Sequence, residues 1–130
     1  MDINFYRCPE CGQIIISVKK TGSRASCCGK QMVELVPDDS HVSEELHIPI
    51  YEVKDGIVTV NVGLLPHPMT EDHYIEWVAI KTKYSEQIRY LSYGLQPKVT
   101  FTLCPGDLVE AVYAYCNQHA LWQANLLQFF

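Results

Sequence analysis

The stretch Ile57-Val58-Thr59-Val60-Asn61-Val62 decides the fold, because apolar and polar residues alternate along most of its length. Successive side chains of a β-strand point to opposite faces of a sheet, so Val58, Val60 and Val62 share one face. β-branched residues also favour strands over helices. The pattern therefore predicts a strand with one buried face and one face open to solvent.

Further strands are predicted outward from this stretch. The candidates are residues 74–84, 87–93, 98–103 and 108–116. Turn signals separate them, at Gly56, residues 63–66, residues 94–97 and Pro105-Gly106. No long segment has the 3.6-residue apolar period of an amphipathic helix. Short strands with turns between them are typical of a β-sandwich, and so we predict an all-β fold.

The first 36 residues predict a separate unit. They hold four of the six cysteines and few other residues that could form a core. A unit of this size usually needs a metal or a disulfide in order to fold. Residues 37–45 are polar and predict a linker or surface loop. We therefore divide the chain into residues 1–36 and residues 37–130.

Composition narrows the class of protein. The 130 residues are 48% hydrophobic and carry a net charge of −5, a globular balance that argues against nucleic acid as a partner. The sequence contains no run of about 18 apolar residues, the length that a membrane-spanning helix needs. Residues 1–8 show no signal-peptide pattern, and we expect a cytoplasmic protein. Six cysteines in that compartment indicate metal or redox chemistry rather than disulfides.

The run Cys8-Pro9-Glu10-Cys11-Gly12 is a metal-binding knuckle. Its turn directs two thiolates at one ion, and Gly12 permits the tight backbone that follows. Fifteen residues separate Cys11 from the adjacent pair Cys27-Cys28. Four thiolates predict a tetrahedral site for zinc or a single iron, and the spacing alone does not distinguish the two. Because no residue separates the pair, we expect its side chains to splay and to distort the tetrahedron.

Four of the five histidines and one further cysteine form a second metal-binding pattern. The set is His47, His67, His73, Cys116 and His119. His67 and His73 flank a short turn, which brings both imidazoles to one point. Cys116 and His119 are three residues apart, just beyond a predicted strand. Four imidazoles and a thiolate exceed the usual ligand set of zinc, and they suit a redox iron with one open position.

Two residues with metal-binding side chains are left out of these sets. His41 lies in the polar linker, and we interpret it as an ordinary surface residue. Cys104 precedes Pro105-Gly106 and has no partner nearby in the sequence. We expect Cys104 to be a small buried hydrophobe.

Taken together, the motifs resemble desulfoferrodoxin, the two-iron class of superoxide reductase. The resemblance rests on Cys8-x-x-Cys11 with Cys27-Cys28, and then on His47-Ile48-Pro49, His67-Pro68-Met69, His73-Tyr74-Ile75 and Cys116-Asn117-x-His119-x-x-Trp122. It covers nearly the whole chain. It implies a desulforedoxin-like Fe(Cys)₄ domain in residues 1–36 and an immunoglobulin-like β-sandwich with an Fe(His)₄Cys centre in residues 37–130. It also implies a homodimer, and it shifts the four-cysteine site toward iron.

The resemblance also implies a reaction. Superoxide would take one electron from ferrous iron and leave as hydrogen peroxide, and a rubredoxin-like protein would donate the electrons. The equatorial ligands would be His47, His67, His73 and His119. Cys116 would be axial, and its thiolate would push electron density toward the open position. Glu45 would ligate that position in the ferric state, since a hard carboxylate prefers the more highly charged iron.

Two positions depart from the family pattern. Leu46 stands where the family usually has lysine, whose charge would steer superoxide and organise protons. Three explanations remain open: another base such as Lys54 serves instead, the charge of the metal suffices, or the site acts on a different small oxidant. Ala120 stands where the family often has glycine, and this concerns only the local backbone.

Two other functions account for part of the sequence. One is a non-enzymatic electron-transfer or structural metalloprotein, with zinc or iron in the four-cysteine site and a vestigial histidine site. Leu46 favours this alternative. The other is a zinc-ribbon interaction module joined to an immunoglobulin-like sandwich, which leaves the four-histidine pattern unexplained. The iron and zinc content of the purified protein, together with its visible spectrum, separates these functions.

Overall fold

The computed structural model describes residues 2–38, 47–63 and 67–124. The chain forms two compact units, Asp2–Val36 and Pro37–Phe130. In the described residues, every pair of hydrogen-bonded strands is antiparallel. A search of the same residues for a helix with the length and apolarity to cross a membrane finds none.

The first unit contains two small sheets. Its strands are β1 (Asn4–Arg7), β2 (Ile14–Ser17), β3 (Ser26–Cys27), β4 (Lys30–Gln31) and β5 (Val33–Glu34). One sheet has the order β2-β1-β5, and the other pairs β3 with β4. Tyr6, Cys8 and Met32 form a small buried cluster, against which Ile15 and Cys27 pack. Cys8 is thus part of this buried cluster, and Cys27 packs against it.

The second unit is a sandwich of two sheets. Its strands are β6 (Pro49–Lys54), β7 (Ile57–Val62), β8 (Ile75–Thr82), β9 (Glu86–Tyr90), β10 (Lys98–Thr102), β11 (Val109–Cys116) and β12 (Ala120–Gln123). One sheet has the order β10-β7-β6, and the other has the order β12-β11-β8-β9. The predicted all-β sandwich is confirmed.

Alternation along β7 builds one side of the sandwich core. Val58, Val60 and Val62 are fully buried, as the opening stretch predicts. They belong to one apolar cluster with Phe101 of β10 and Val112 of β11. β-branched side chains on a pleated surface fill such an interface well. The core therefore lies between the two sheets, with the polar residues of β7 on the outer face.

The sequence did not predict β6, although the signal for it is present. β6 pairs with β7 from Pro49 to Lys54, and only Asp55 and Gly56 connect the two strands. Asp55 has φ 53° and Gly56 has φ 75°. Two central residues with positive φ make the turn that suits the twist of a tight hairpin, and Asp-Gly is a favoured pair for it.

Five strand ends meet at one end of the sandwich, because their neighbours are antiparallel. β6, β8 and β12 begin there, and β7 and β11 end there. Every residue of the histidine and cysteine set lies in a segment that enters or leaves these strand ends. The topology therefore collects the second metal-binding pattern at one end of the sandwich.

Two expectations from the sequence are corrected by the fold. Lys54 ends β6 five residues beyond Pro49, about 17 Å along the strand from the end that carries the ligands. It therefore lies at the opposite end of the sandwich and does not serve as the missing base. Cys104 is exposed in the turn after β10, because the strand ends at Thr102 and the chain turns outward at Pro105-Gly106.

Candidate metal centres

The four cysteines of the first unit lie together around one point. The sulfurs of Cys8, Cys11, Cys27 and Cys28 are all within 4.8 Å of one another. Cys11 Sγ lies 3.7 Å from Cys27 Sγ, which in turn lies 3.9 Å from Cys28 Sγ. A tetrahedron with metal–sulfur bonds of about 2.3 Å has edges of about 3.8 Å. The spacing therefore fits one tetrahedral ion and is far too long for a disulfide.

The backbone accommodates the adjacent pair Cys27-Cys28. Cys28 has φ 54° and Gly29 has φ 73°, both in the left-handed region. This region reverses the chain directly after Cys27, so that neighbouring side chains can face the same point. Such a conformation costs about 1–2 kcal/mol for a residue with a side chain. The backbone at Cys28 thus takes up strain, while the Cys11–Cys27 and Cys27–Cys28 sulfur distances stay close to the edge of a regular tetrahedron.

The thiols ionise unequally. The amide of Cys11, whose nitrogen is 3.5 Å from Cys8 Sγ, lowers the pKa of Cys8 to about 6. The hydrogen bond with Cys8 raises the pKa of Cys27 to about 12, and contact with Cys11 adds to this effect. Contact with Cys11 also raises the pKa of Cys28. Several thiolates side by side repel one another, so a cation is needed to displace the remaining protons.

The four imidazoles of the second unit form a square. Neighbouring ring centres are 4.7–5.0 Å apart around the cycle, with interplanar angles of 70–81°. The order around the square is His47, His67, His73 and His119. His47 and His73 lie across the diagonal, with ring centres 6.4 Å apart. One nitrogen of each ring lies within 4.8 Å of those of the other three, so the four donors surround a common centre.

The donor atoms in the square have a spacing suited to a metal. His47 Nε2 and His119 Nδ1 are 2.9 Å apart. Two nitrogens bound at right angles, each about 2.1 Å from an ion, lie about 3.0 Å apart. The Nε2 atoms of His67 and His73 are buried and make no hydrogen bond within the described residues. Buried polar atoms are rarely left unpaired, and so these two nitrogens fit donors to a metal ion.

Burial favours the neutral form of His67 and His73, which is the form that binds a metal. Burial lowers the pKa of His67 to about 4, although a hydrogen bond to Pro68 partly opposes this effect. Burial also lowers the pKa of His73. His67 Nδ1 lies 2.7 Å from the carbonyl oxygen of Pro68 and donates to it, which leaves the lone pair on Nε2. The imidazoles therefore fit a cation.

Cys116 lies on the core side of the square. Its side chain is fully buried in the sandwich core, and its Sγ is 3.7 Å from His119 Nδ1. Burial raises the pKa of this thiol, and the amides of Gln118 and His119 partly offset the rise. His119 by contrast is exposed. A metal held by the square would thus have the Cys116 sulfur on its core side.

Trp122 supports two corners of the square, a role that the sequence analysis did not assign. Its ring stacks on His47 with centres 4.7 Å apart and planes 19° apart. Its Nε1 donates to the carbonyl oxygen of His119 at 3.0 Å. The spacing to His119 placed Trp122 in the motif, but its contact with His47 spans 75 residues and had no signal in the sequence.

The structure brings together all nine predicted metal ligands in two groups, four in one and five in the other. Glu45, Leu46 and His41 lie outside the described residues. The two donor sets and the sandwich define a class of protein: a two-centre metalloprotein with a tetrahedral thiolate site and a five-donor site suited to a redox ion.

Comparisons with known proteins place the chain within that class. A family model described as Desulfoferrodoxin matches residues 39–125. The desulfoferrodoxin homolog of Archaeoglobus fulgidus is 37% identical over 120 residues, which cover 92% of this chain and 94% of that protein. The desulfoferrodoxin of Syntrophotalea carbinolica is 35% identical and covers 95% of this chain and 96% of its own length. The chain therefore belongs to the desulfoferrodoxin family, as its motifs predict.

Solved structures agree with this assignment. The superoxide reductase from Treponema pallidum has a TM-score of 0.79 and 32% identity, and the match covers 95% of this chain and 98% of that one. A superoxide reductase from Giardia intestinalis, described as 1Fe-SOR, has a TM-score of 0.52 and 29% identity. That match covers 61% of this chain and 94% of the other.

Proposed function

We propose that this chain is an oxidoreductase, a superoxide reductase that converts superoxide to hydrogen peroxide at a non-haem iron. The observation that carries the proposal is the square of four imidazoles above a buried thiol. Five donors leave one octahedral position free for a small anion. Membership of the desulfoferrodoxin family and the match to a superoxide reductase over nearly the whole chain support it.

Each residue of the centre has a task in this proposal. The ligands would be His47, His67, His73, Cys116 and His119. The iron supplies, when bound, the single electron that superoxide takes up. Cys116, on the core side, would donate electron density to the iron, as thiolate ligands of haem iron do. The four imidazoles would hold the iron, and the exposed edge at His119 would give superoxide access from solvent.

Glu45 is the proposed ligand of the open position in the oxidised state. The support is its place two residues before His47 in the sequence. Its carboxylate would prefer ferric to ferrous iron and would leave when the metal is reduced. Superoxide would then find the position free only in the state that can reduce it.

The first unit, residues 1–36, is proposed as a desulforedoxin-like domain with iron or zinc bound by Cys8, Cys11, Cys27 and Cys28. Cys11 and Cys28 are exposed, and Cys8 is fully buried. Exposed thiolate ligands give a redox partner a short path to the ion. Residues 37–130 would then be the catalytic domain. The compact units Asp2–Val36 and Pro37–Phe130 support this division, and so does the family model, which matches residues 39–125.

The electron donor is proposed to be a small rubredoxin-like protein, and the functional unit is proposed to be a homodimer. Both proposals rest on the resemblance of the motifs to the family. Cross-linking and sedimentation test the homodimer. The rate at which a reduced rubredoxin loses its colour in the presence of the oxidised protein tests the donor.

The test of function begins with metal content and the visible spectrum, before and after oxidation. We expect iron, and a thiolate-to-iron band that persists in Cys8→Ser and is lost in Cys116→Ser. Pulse radiolysis should then show one hydrogen peroxide formed for each superoxide consumed, with no oxygen evolved. A colourless preparation that holds only zinc, although the cells were supplied with iron, would favour a structural metalloprotein instead.

A further inference from the structure

The rings around the metal square are not all held in the same way. Trp122 stacks on His47 and binds the carbonyl of His119, and the carbonyl of Pro68 fixes the ring of His67. His73 differs, because in the part of the chain that the structure describes its hydrogen bonds come from its main chain. Its amide and carbonyl pair with Thr70 at 3.2 and 3.0 Å. The direction of this ring therefore depends on the backbone around residue 73.

Asn117 makes hydrogen bonds to that backbone on both sides of His73. Its Oδ1 accepts a hydrogen bond from the amide of Tyr74 at 3.0 Å. Its Nδ2 donates to the carbonyl oxygen of Asp72, also at 3.0 Å. Its own amide donates to the carbonyl oxygen of Tyr74 at 3.2 Å. A carboxamide is suited to this arrangement, because one end accepts and the other donates.

We propose that Asn117 is a positioning residue that sets the direction of the His73 imidazole relative to Cys116. Asn117 follows Cys116 directly in the chain. The same residue is therefore bonded to the backbone of Cys116 and hydrogen-bonded to the peptide groups on both sides of His73. Two hydrogen bonds to the neighbours of a ligand restrict the dihedral angles that aim its ring. The proposal rests on the proposed iron centre, and it adds a contact between two loops that are 43 residues apart.

Gln118 provides an internal comparison. Its Nε2 donates to the same carbonyl oxygen of Asp72, at 2.6 Å. Gln118 holds only one side of His73, whereas Asn117 holds both. Loss of the Gln118 side chain should therefore disturb the ring much less than loss of the Asn117 side chain.

The test compares Asn117→Ala, Asn117→Ser and Gln118→Ala with the parent in the full-length protein. Asn61→Ala, an exposed asparagine on β7, is the matched control. We measure affinity for ferrous iron by competition with a chromogenic chelator. We expect Asn117→Ala to bind iron about 10-fold to 100-fold more weakly at the histidine centre. Asn117→Ser should be intermediate, and the other two variants should stay within about three-fold of the parent.

A second readout separates positioning from a general loss of stability. The thiolate-to-iron band that disappears in Cys116→Ser should shift in Asn117→Ala, whereas a purely structural role would lower the melting temperature and leave the band unchanged. An Asn117→Ala protein with parental affinity and an unshifted band would overturn the proposal. If Asn117→Ala does not fold, Asn117→Ser decides by the same two measurements.

The outcome does not depend on the reaction with superoxide. If the parent binds iron but does not reduce superoxide, the proposed function fails, while the affinity and the band still test Asn117. If superoxide is reduced by the parent and by Asn117→Ala with equal iron affinity, the proposed function stands and the positioning role fails.

Discussion

Ala120 directly follows the proposed ligand His119 and has φ 66°, in a backbone region that strongly favours glycine. The sequence identified this position as a departure from the family, and the structure shows that alanine keeps the left-handed conformation. The strain is about 1–2 kcal/mol for a residue with a Cβ. The chain tolerates it because Cys116 pairs with Ala120 at the start of the β11–β12 hairpin.

Ala120→Gly should relieve this strain. We expect the free energy of unfolding to rise by about 0.5–1 kcal/mol, because relief of strain exceeds the extra entropy of glycine in the unfolded chain. Denaturant unfolding of both proteins at equal metal loading measures this change in the free energy of unfolding. Ala79→Gly, at a buried position of β8 with ordinary φ, should instead destabilise the protein. A loss of stability in Ala120→Gly would contradict the strain argument.

At the scale of elements, Asp107 joins the end of β8 to the loop before β11. Its Oδ2 accepts from Thr82 Oγ1 at 2.8 Å, and its Oδ1 accepts from the amides of Leu108 and Tyr84 at 2.9 and 3.2 Å. Burial pushes the pKa of this carboxyl upward, but these hydrogen bonds outweigh burial and lower the pKa overall. The carboxylate form is therefore the one that the fold stabilises.

Asp107→Asn should lose that stabilisation in a pH-dependent way. Because the folded pKa lies below the unfolded one, the advantage of the parent is complete above about pH 4 to 5 and declines as pH falls through the folded pKa. Denaturant unfolding of both proteins across this range measures the difference. Protonation of the histidines affects both proteins alike and cancels. A difference that stays constant down to pH 2 would contradict the assignment.

The strands show how far sequence reasoning reaches. β7, β8, β9, β10 and β11 follow from alternation, β-branched residues and turn signals, and their ends lie within three residues of the predicted ones. β12 is only four residues long, and β6 exposes half of its residues, so neither pattern stands out. All nine candidate ligands follow from residue type and spacing. The contacts of Asn117 and Trp122 do not, because they form between loops that only the folded sandwich brings together.

At the scale of the whole molecule, each unit depends on its metal to a different degree. In the first unit the proposed ligand Cys8 is one of three residues in a buried cluster, whereas two sheets enclose the core of the second unit. Cys8→Ser should therefore lose one of two metals and make residues 2–36 sensitive to protease. The second unit should keep its iron and its rate with superoxide. Limited proteolysis with metal analysis tests this, and loss of both metals would contradict it.

Charge also acts across the whole molecule. The net charge of −5 repels an anionic substrate, and leucine stands at position 46. Lys98 begins β10 opposite Asn61, at the end of the sandwich that carries the histidines, while Lys54 lies at the other end. Lys98→Gln should slow the reaction with superoxide by about 1.5-fold to 2-fold at an ionic strength of about 0.01 M.

Lys54→Gln changes the net charge equally and is the control for this prediction. Its rate constant from pulse radiolysis should stay within about 1.2-fold of the parent, because the charge is farther from the centre. The effect of Lys98→Gln should disappear as the Debye length falls to about 8 Å near 0.15 M salt. Equal slowing by both variants would show that only the net charge matters.

The square of imidazoles has a further consequence for the chain as a polymer. His47 and His119 are 72 residues apart in sequence, and an ion bound by both would tie them together. A covalent tie across a loop of that length would remove about 4 kcal/mol of chain entropy from the unfolded state. A metal that holds both ends therefore acts as a reversible cross-link of the sandwich. Loss of the ion would therefore lower the thermal stability of the protein as well as abolish its proposed activity.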